Sequence, residues 1–136
     1  MALALMGSIP RIDIDDPDVD MDLAQRLLHR GEPFTGEVTE HQSGRLISLD
    51  EYTDGVLDGR SREWYQDGAL RSEGVVRNGC AVGEFKEWHP NGVLKSRKFF
   101  DGARFSLCEV DTWDEHGARL SSWRRDGSSA SEGETS

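Results

Sequence analysis

The stretch "GEFKEWHPNGVLKSRKFFDG", residues 83–102, decides the fold, because it is nearly duplicated upstream as "GRSREWYQDGALRSEGVVRNG" at 59–79. Aligned on the glycine that follows each polar turn, Gly44, Gly68, Gly92 and Gly117 lie 24, 24 and 25 residues apart. A second glycine series, Gly55, Gly79, Gly102 and Gly127, runs at 24, 23 and 25. A third, Gly36, Gly59 and Gly83, gives 23 and 24 and has no member near 107. A fixed period in the twenties is the signature of a repeat architecture. Trp64, Trp88 and Trp113 each stand four residues before a turn glycine, and the first unit has Glu40 there.

Each unit reads as a β-hairpin. In "WHPNGVL", Pro90 suits the first central position of a type I turn, Asn91 tolerates the second, and Gly92 can take positive φ, which closes the hairpin with a glycine bulge. This turn pairs His89 with Val93 and Trp88 with Leu94, and the same logic in "WYQDGAL" pairs Trp64 with Leu70. Gly68 and Gly117 take the place of Gly92 in their units, and the three tryptophans line up as a ladder across the sheet. The polar runs "YTDG", "VRNG" and "FDG" turn the chain again between units. The expected fold is mainly β: an antiparallel meander of about eight strands over 34–127. Phe85 and Trp88 cannot share a face of a straight strand without a bulge.

Two further segments are expected around the repeats. Residues 1–33 read as an acidic arm with a short helix over 20–31: an Asp cap, Ala24, Leu27 and Leu28 at helical spacing, and Gly31 as the stop. Residues 128–136, "SSASEGETS", form a polar tail that cannot bury a core and is expected to be disordered.

Charge and chemistry narrow the function. The chain has 136 residues and a formal net charge of −10, which argues against nucleic acid and suits a basic partner. Six Asp fall in 13–22 without a basic residue, whereas 59–104 has nine Lys/Arg against six Asp/Glu. No signal-peptide pattern opens the chain and no apolar run approaches the ~18–20 residues needed to cross a bilayer, so a cytoplasmic location is expected. Cys80 and Cys108 lack CxxC spacing and read as reduced thiols.

No catalytic motif, metal-ligand spacing or cofactor loop occurs, so neither an enzyme nor a cofactor is expected. The Asp run offers carboxylates at alternate positions from Asp16, but Met21 stands where a calcium loop needs glycine and Leu27 where it needs glutamate. His29, His41, His89 and His116 lack ligand spacing, and His41, Tyr65 and His89 share one turn-flanking position. The periodic tryptophans read as packing residues, with use at an interface as the alternative. Arg60, Arg62, Arg71, Lys86, Lys95, Arg97 and Lys98 read either as a stripe for anionic lipid or, given Glu63, Glu73, Glu84 and Glu87 among them, as members of cross-strand charge pairs.

The doubled cassette resembles the MORN repeat, in the variant found in small bacterial proteins, over about 34–127, and "GEPFTGEV" (31–38) is similar to the segment that commonly leads into the first repeat. The fourth unit, "SLCEVDTWDEHGARLSSWRRDG", departs from the pattern: it lacks the leading glycine and has Arg119 where the others have leucine. The resemblance implies a non-enzymatic antitoxin or immunity protein that occludes a cognate toxin, expected from the net charge of −10 to be basic. It also carries an alternative, a scaffold that meets a structural protein or an anionic membrane surface. Residues expected at the partner surface are Tyr65, Lys86, His89, Lys95 and Arg97, with Asp15, Asp16 and Asp18 on the arm. Trp64, Gly68, Leu70, Trp88, Gly92, Leu94, Trp113 and Gly117 are expected to serve the repeat itself.

Overall fold

The computed structural model describes residues 9–103 and 106–125. Its centre is one nine-stranded sheet in the order β1-β5-β6-β7-β8-β9-β10-β11-β12. Eight of these strands form the antiparallel meander: β5 (Gly36–Gln42), β6 (Arg45–Thr53), β7 (Val56–Trp64), β8 (Leu70–Arg77), β9 (Cys80–Trp88), β10 (Leu94–Asp101), β11 (Ser106–Trp113) and β12 (Arg119–Arg124). The ninth, β1 (Arg11–Asp13), runs parallel to β5 at the N-terminal edge. A second sheet joins β2 (Val19–Met21), β3 (Leu27–His29) and β4 (Glu32–Pro33).

The repeat turns have the geometry their residues dictate. At the third unit the Gly92 N–H donates to the His89 carbonyl at 2.9 Å and the His89 N–H to the Val93 carbonyl at 2.8 Å. Asn91 Oδ1 accepts the Val93 N–H at 3.0 Å, and Trp88 pairs with Leu94. Gly92 has φ of 90°, a value that a side chain resists, so glycine closes the turn. Tyr65 to Ala69 repeats these bonds, with Trp64 opposite Leu70. Asp114 to Ala118 does so again, with Trp113 opposite Arg119. The first unit differs: Gln42 pairs with Arg45 across the two-residue turn Ser43-Gly44, whose φ values are 52° and 79°.

Between units the chain turns at Asp54-Gly55 and Asn78-Gly79, both in positive φ, the signature of a two-residue hairpin loop. The third inter-unit loop is wider, because Asp101 pairs with Ser106. Each repeat hairpin also has one extra residue on its second strand. Register shifts leave Ile47, Arg71, Lys95 and Leu120 as the bulged positions. The irregularity of β9 against β8 lies between Val82 and Lys86, and Phe85 and Trp88 lie on opposite faces, as straight-strand alternation requires.

The helix expected over 20–31 does not form. Asp22 instead closes a tight turn: its Oδ1 accepts the Arg26 N–H at 2.8 Å, its carbonyl accepts the Gln25 N–H, and its Oδ2 pairs with Arg26 Nε at 2.9 Å. Strand pairing then places Leu27 and Leu28 on opposite sides, which helical spacing would not do. Leu27 is buried to 1% exposure, whereas Leu23 is fully exposed. Pairing within the small sheet and burial of Leu27 outweigh about three turns of unsupported helix, whose nucleation is costly. The predicted tail at 128–136 and Gly127 lie outside the described residues.

The apolar core is small and sits at one end. Leu27, Phe34 and Val38 are buried together, with Ile12, Ile14, Val19 and Tyr52 packed around them. The small sheet is bolted to the β6–β7 turn: the Leu27 N–H donates to the Gly55 carbonyl and the Gly55 N–H to the Phe34 carbonyl, each at 2.8 Å. It therefore caps one face of the main sheet at β5 and β6, the face that bears Val38 and Tyr52, hereafter the cap face.

Candidate functional site

Register decides which side chains share a face. On the cap face, direct cross-strand pairing links Glu40, Ser48, Glu63, Ser72, Glu87, Ser96, Thr112 and Ser121 in one row across all eight meander strands. Carboxylate and hydroxyl alternate from β5 to β10. The Ser72 hydroxyl donates to Glu63 Oε1 at 3.2 Å and the Ser96 hydroxyl to Glu87 Oε1 at 3.0 Å. Ser72 and Ser96 are buried at 7% and 4% exposure, so each hydroxyl needs such an acceptor. Beside this row Asp50 pairs with Ser61, whose hydroxyl donates to Asp50 Oδ1 at 2.5 Å. Burial pushes the Asp50 carboxyl up, and the neighbouring Glu63 and Glu40 add to the rise.

Among the described residues, none of Glu40, Asp50, Glu63 or Glu87 forms an ion pair with a cation. Arg71 borders the groove that holds Glu40, Ser48 and Glu63, of about 210 Å³, without pairing to either acid. A second cleft of about 230 Å³ opens on this face between Phe85, Phe100 and Ala81, with Glu87, Ser96 and Lys98 at its sides. The two rings meet edge to face at 6.3 Å. Gly74 makes room for them, since a Cβ there would overlap the Phe85 ring.

The opposite, arginine face is built differently from adjacent residues. Its row runs Thr39, Leu49, Arg62, Glu73, Lys86, Arg97, Asp111 and Ser122. Asp111 is almost completely buried and is ringed by Arg97 at 3.2 Å, Arg124 at 3.3 Å and Arg119 at 3.6 Å, while the Ser122 hydroxyl donates to it at 2.7 Å. Burial alone would push its carboxyl up; the Ser122 bond and the Arg124 and Arg119 guanidinium groups together hold it below the ordinary range. Glu84 binds Arg97 at 3.1 Å and Lys86 at 3.6 Å, and the Arg97 bond lowers the Glu84 carboxyl. Arg62 stacks over Trp64 and Arg119 over Trp113, at 5.7 and 5.5 Å.

The residues expected at the partner surface are thus dispersed. Lys86 and Arg97 belong to the charge network of the arginine face. Tyr65 and His89 tie neighbouring units together at the turn end: the Tyr65 hydroxyl donates to the Trp88 carbonyl at 2.7 Å and His89 Nε2 to the Trp113 carbonyl at 2.9 Å. The carbonyl acceptor requires the proton on Nε2. His41, one unit earlier, instead bonds Asp13 Oδ2 through Nδ1 at 2.7 Å. The Asp13 carboxyl is held low, first by the Asp15 N–H and then by His41. Lys95 is the exposed bulge residue of β10.

Asp15, Asp16 and Asp18 lie in the turns of the cap. Asp16 faces His29 at 3.6 Å and Asp18 pairs with Arg30 at 3.1 Å. Asp16, Asp18 and His29 bring ligand atoms within 4.8 Å of one another and are the residues best placed to hold a metal ion. Asp18 is engaged by Arg30, which ties the segment before β2 to the end of β3. Cys80 and Cys108 are free thiols.

Sequence reasoning missed the cap-face row. Its signal was the 24-residue recurrence of Glu63 and Glu87 and of Ser72 and Ser96, read together with strand parity, which separates them from Arg62 and Lys86.

The family model described as a MORN repeat variant matches residues 57–78 and 81–101, which span the β7–β8 and β9–β10 hairpins. These two hairpins match the MORN repeat variant. No curated protein and no solved structure matches it. Each matched MORN segment is one complete hairpin closed by Gly68 or Gly92. The flanking hairpins keep the strand pairing but differ at the turn: β5–β6 has the two-residue Ser43-Gly44 loop, and β11–β12 has Arg119 opposite Trp113. Such repeats suit a module that meets proteins or membranes, and no helix among the described residues is long and apolar enough to cross a membrane.

Proposed function

We propose that the protein is a non-enzymatic interaction module that captures a basic protein and blocks it, in the manner of an antitoxin or immunity protein. The observation that carries this reading is the imbalance between the two faces. On the arginine face Lys86, Arg97, Arg119 and Arg124 are paired with Glu84, Glu109 or Asp111. Among the described residues the cap-face acids form no ion pair with a cation, in a chain of net charge −10. Uncompensated charge on an open sheet steers and accelerates capture of an oppositely charged protein. Lys86 and Arg97, two of the cations that could meet an anionic membrane, are instead held by Glu84 and Asp111.

The reading is tested by affinity purification from the native cell, followed by assay of the captured protein's activity with and without this chain. A basic partner whose activity is suppressed is the expected result. Capture of only structural proteins, or flotation of the chain with anionic vesicles, would move the protein to the scaffold class.

A further inference from the structure

The row Glu40, Glu63 and Glu87 has a spacing that selects the shape of its ligand. The three acids occupy β5, β7 and β9 at equivalent positions of one cross-strand row. Neighbouring strands lie about 4.7–4.9 Å apart, so successive carboxylates of the row are spaced by roughly 9.5 Å. A polyproline II segment has three residues per turn and rises about 3.1 Å per residue, so its every third side chain projects to one side at intervals of roughly 9.3 Å. An extended β-strand cannot do this, because residues three apart point to opposite sides.

The fourth position of the row is Thr112, so the acidic track ends at Glu87, and there the Phe85–Phe100 cleft of about 230 Å³ begins. Between the acids the row offers Ser48 and Ser72, small side chains over which a backbone can pass closely. Beyond the cap at β5 and β6, no element among the described residues packs on this face.

We infer that the cap face binds a polyproline II segment of the protein partner, laid across the strands, with Lys or Arg at every third position against Glu40, Glu63 and Glu87. An apolar residue past the last cation enters the cleft between Phe85 and Phe100. The polyproline II form holds its cations in register before binding, so little ordering entropy is lost. This inference rests on the protein-interaction reading and specifies its surface, but the peptide assay below needs no captured partner and therefore fails independently of it.

Two labelled 12-residue peptides of identical composition provide the probe: four Lys-Pro-Pro triplets, and a control in which the four lysines alternate with single prolines at one end. Fluorescence anisotropy is measured with the full chain, with Glu63→Gln/Glu87→Gln, and with Glu73→Gln/Glu115→Gln, which changes net charge equally but away from the row. The triplet peptide is expected to bind the native chain more tightly than the control. It should weaken about tenfold with the cap-face variant, as loss of two solvent-facing charge contacts implies. The Glu73/Glu115 variant should bind it like the native chain. Equal affinity for both peptides, or an equal loss in both variants, would overturn the proposal. Thermal unfolding of each variant separates loss of the surface from loss of the fold.

Discussion

The two faces of the sheet are made by the same strands, from alternate residues of the same repeats, yet they treat charge in opposite ways. On the arginine face Asp111 is buried and surrounded by Arg97, Arg119 and Arg124. On the cap face Asp50, Glu63 and Glu87 accept serine hydroxyls, and among the described residues neither they nor Glu40 form an ion pair. A single-layer sheet has little apolar core to lend, so a buried charge must be satisfied within the sheet or it destabilises the fold. Asp111 on the arginine face obeys this requirement. The cap face bears an electrostatic cost that folding does not require, the pattern expected of a surface used for binding.

Substitutions can break this contrast at either face. The largest effect is expected at Asp111. Asp111→Ala strands three guanidinium groups and the Ser122 hydroxyl; with each arginine a third or more exposed, the loss is about 2–3 kcal/mol, read by urea unfolding. Because the Asp111 carboxyl is held low in the fold, its stabilisation is present above the ordinary carboxylate range and disappears as pH falls through the depressed folded value. The native chain should therefore lose part of its stability on acidification, and Asp111→Ala should show a flatter acid limb.

A smaller loss is expected where the units are tied together. His89→Ala removes the bond to the Trp113 carbonyl and should cost about 1 kcal/mol. Hydrogen exchange should rise at the Trp113 end of β11 more than at β7.

At Asp50 the sign reverses. Its folded carboxyl is raised, so ionisation weakens the fold as pH climbs from the unfolded value through the folded one. Asp50→Asn keeps Oδ1 for Ser61 and removes the charge. It should stabilise the chain at neutral pH by less than about 1 kcal/mol, with the advantage shrinking in acid. The smallest effect on stability belongs to Glu63→Gln/Glu87→Gln, within about 0.5 kcal/mol per site, because glutamine still accepts the Ser72 and Ser96 hydroxyls.

What could be read from the sequence follows the same division. The hairpins were legible to the level of atoms, since Pro90-Asn91-Gly92 admits few backbone solutions, and the bonds of His89 with Val93 and the pairing of Trp88 with Leu94 follow from it. The segment around Leu27 and Leu28 was not, because adjacent leucines suit a helix and a strand pair equally well. Only docking on Gly55 and Phe34 selects the strand. The faces were obscured by one residue per hairpin. Arg71 and Lys95 are bulges, and counting alternation through them assigns every following side chain to the wrong side. Tyr65 and His89 look like free polar groups in the sequence, because the carbonyls they bond belong to the next unit.

The acids of the cap face are proposed to receive the partner. The most direct test is the association rate of the captured partner as a function of salt, measured against the native chain, Glu63→Gln/Glu87→Gln and Glu73→Gln/Glu115→Gln. Slower association and a flatter salt dependence in the cap-face variant alone is the predicted result. The same rates and slopes in both variants would contradict it.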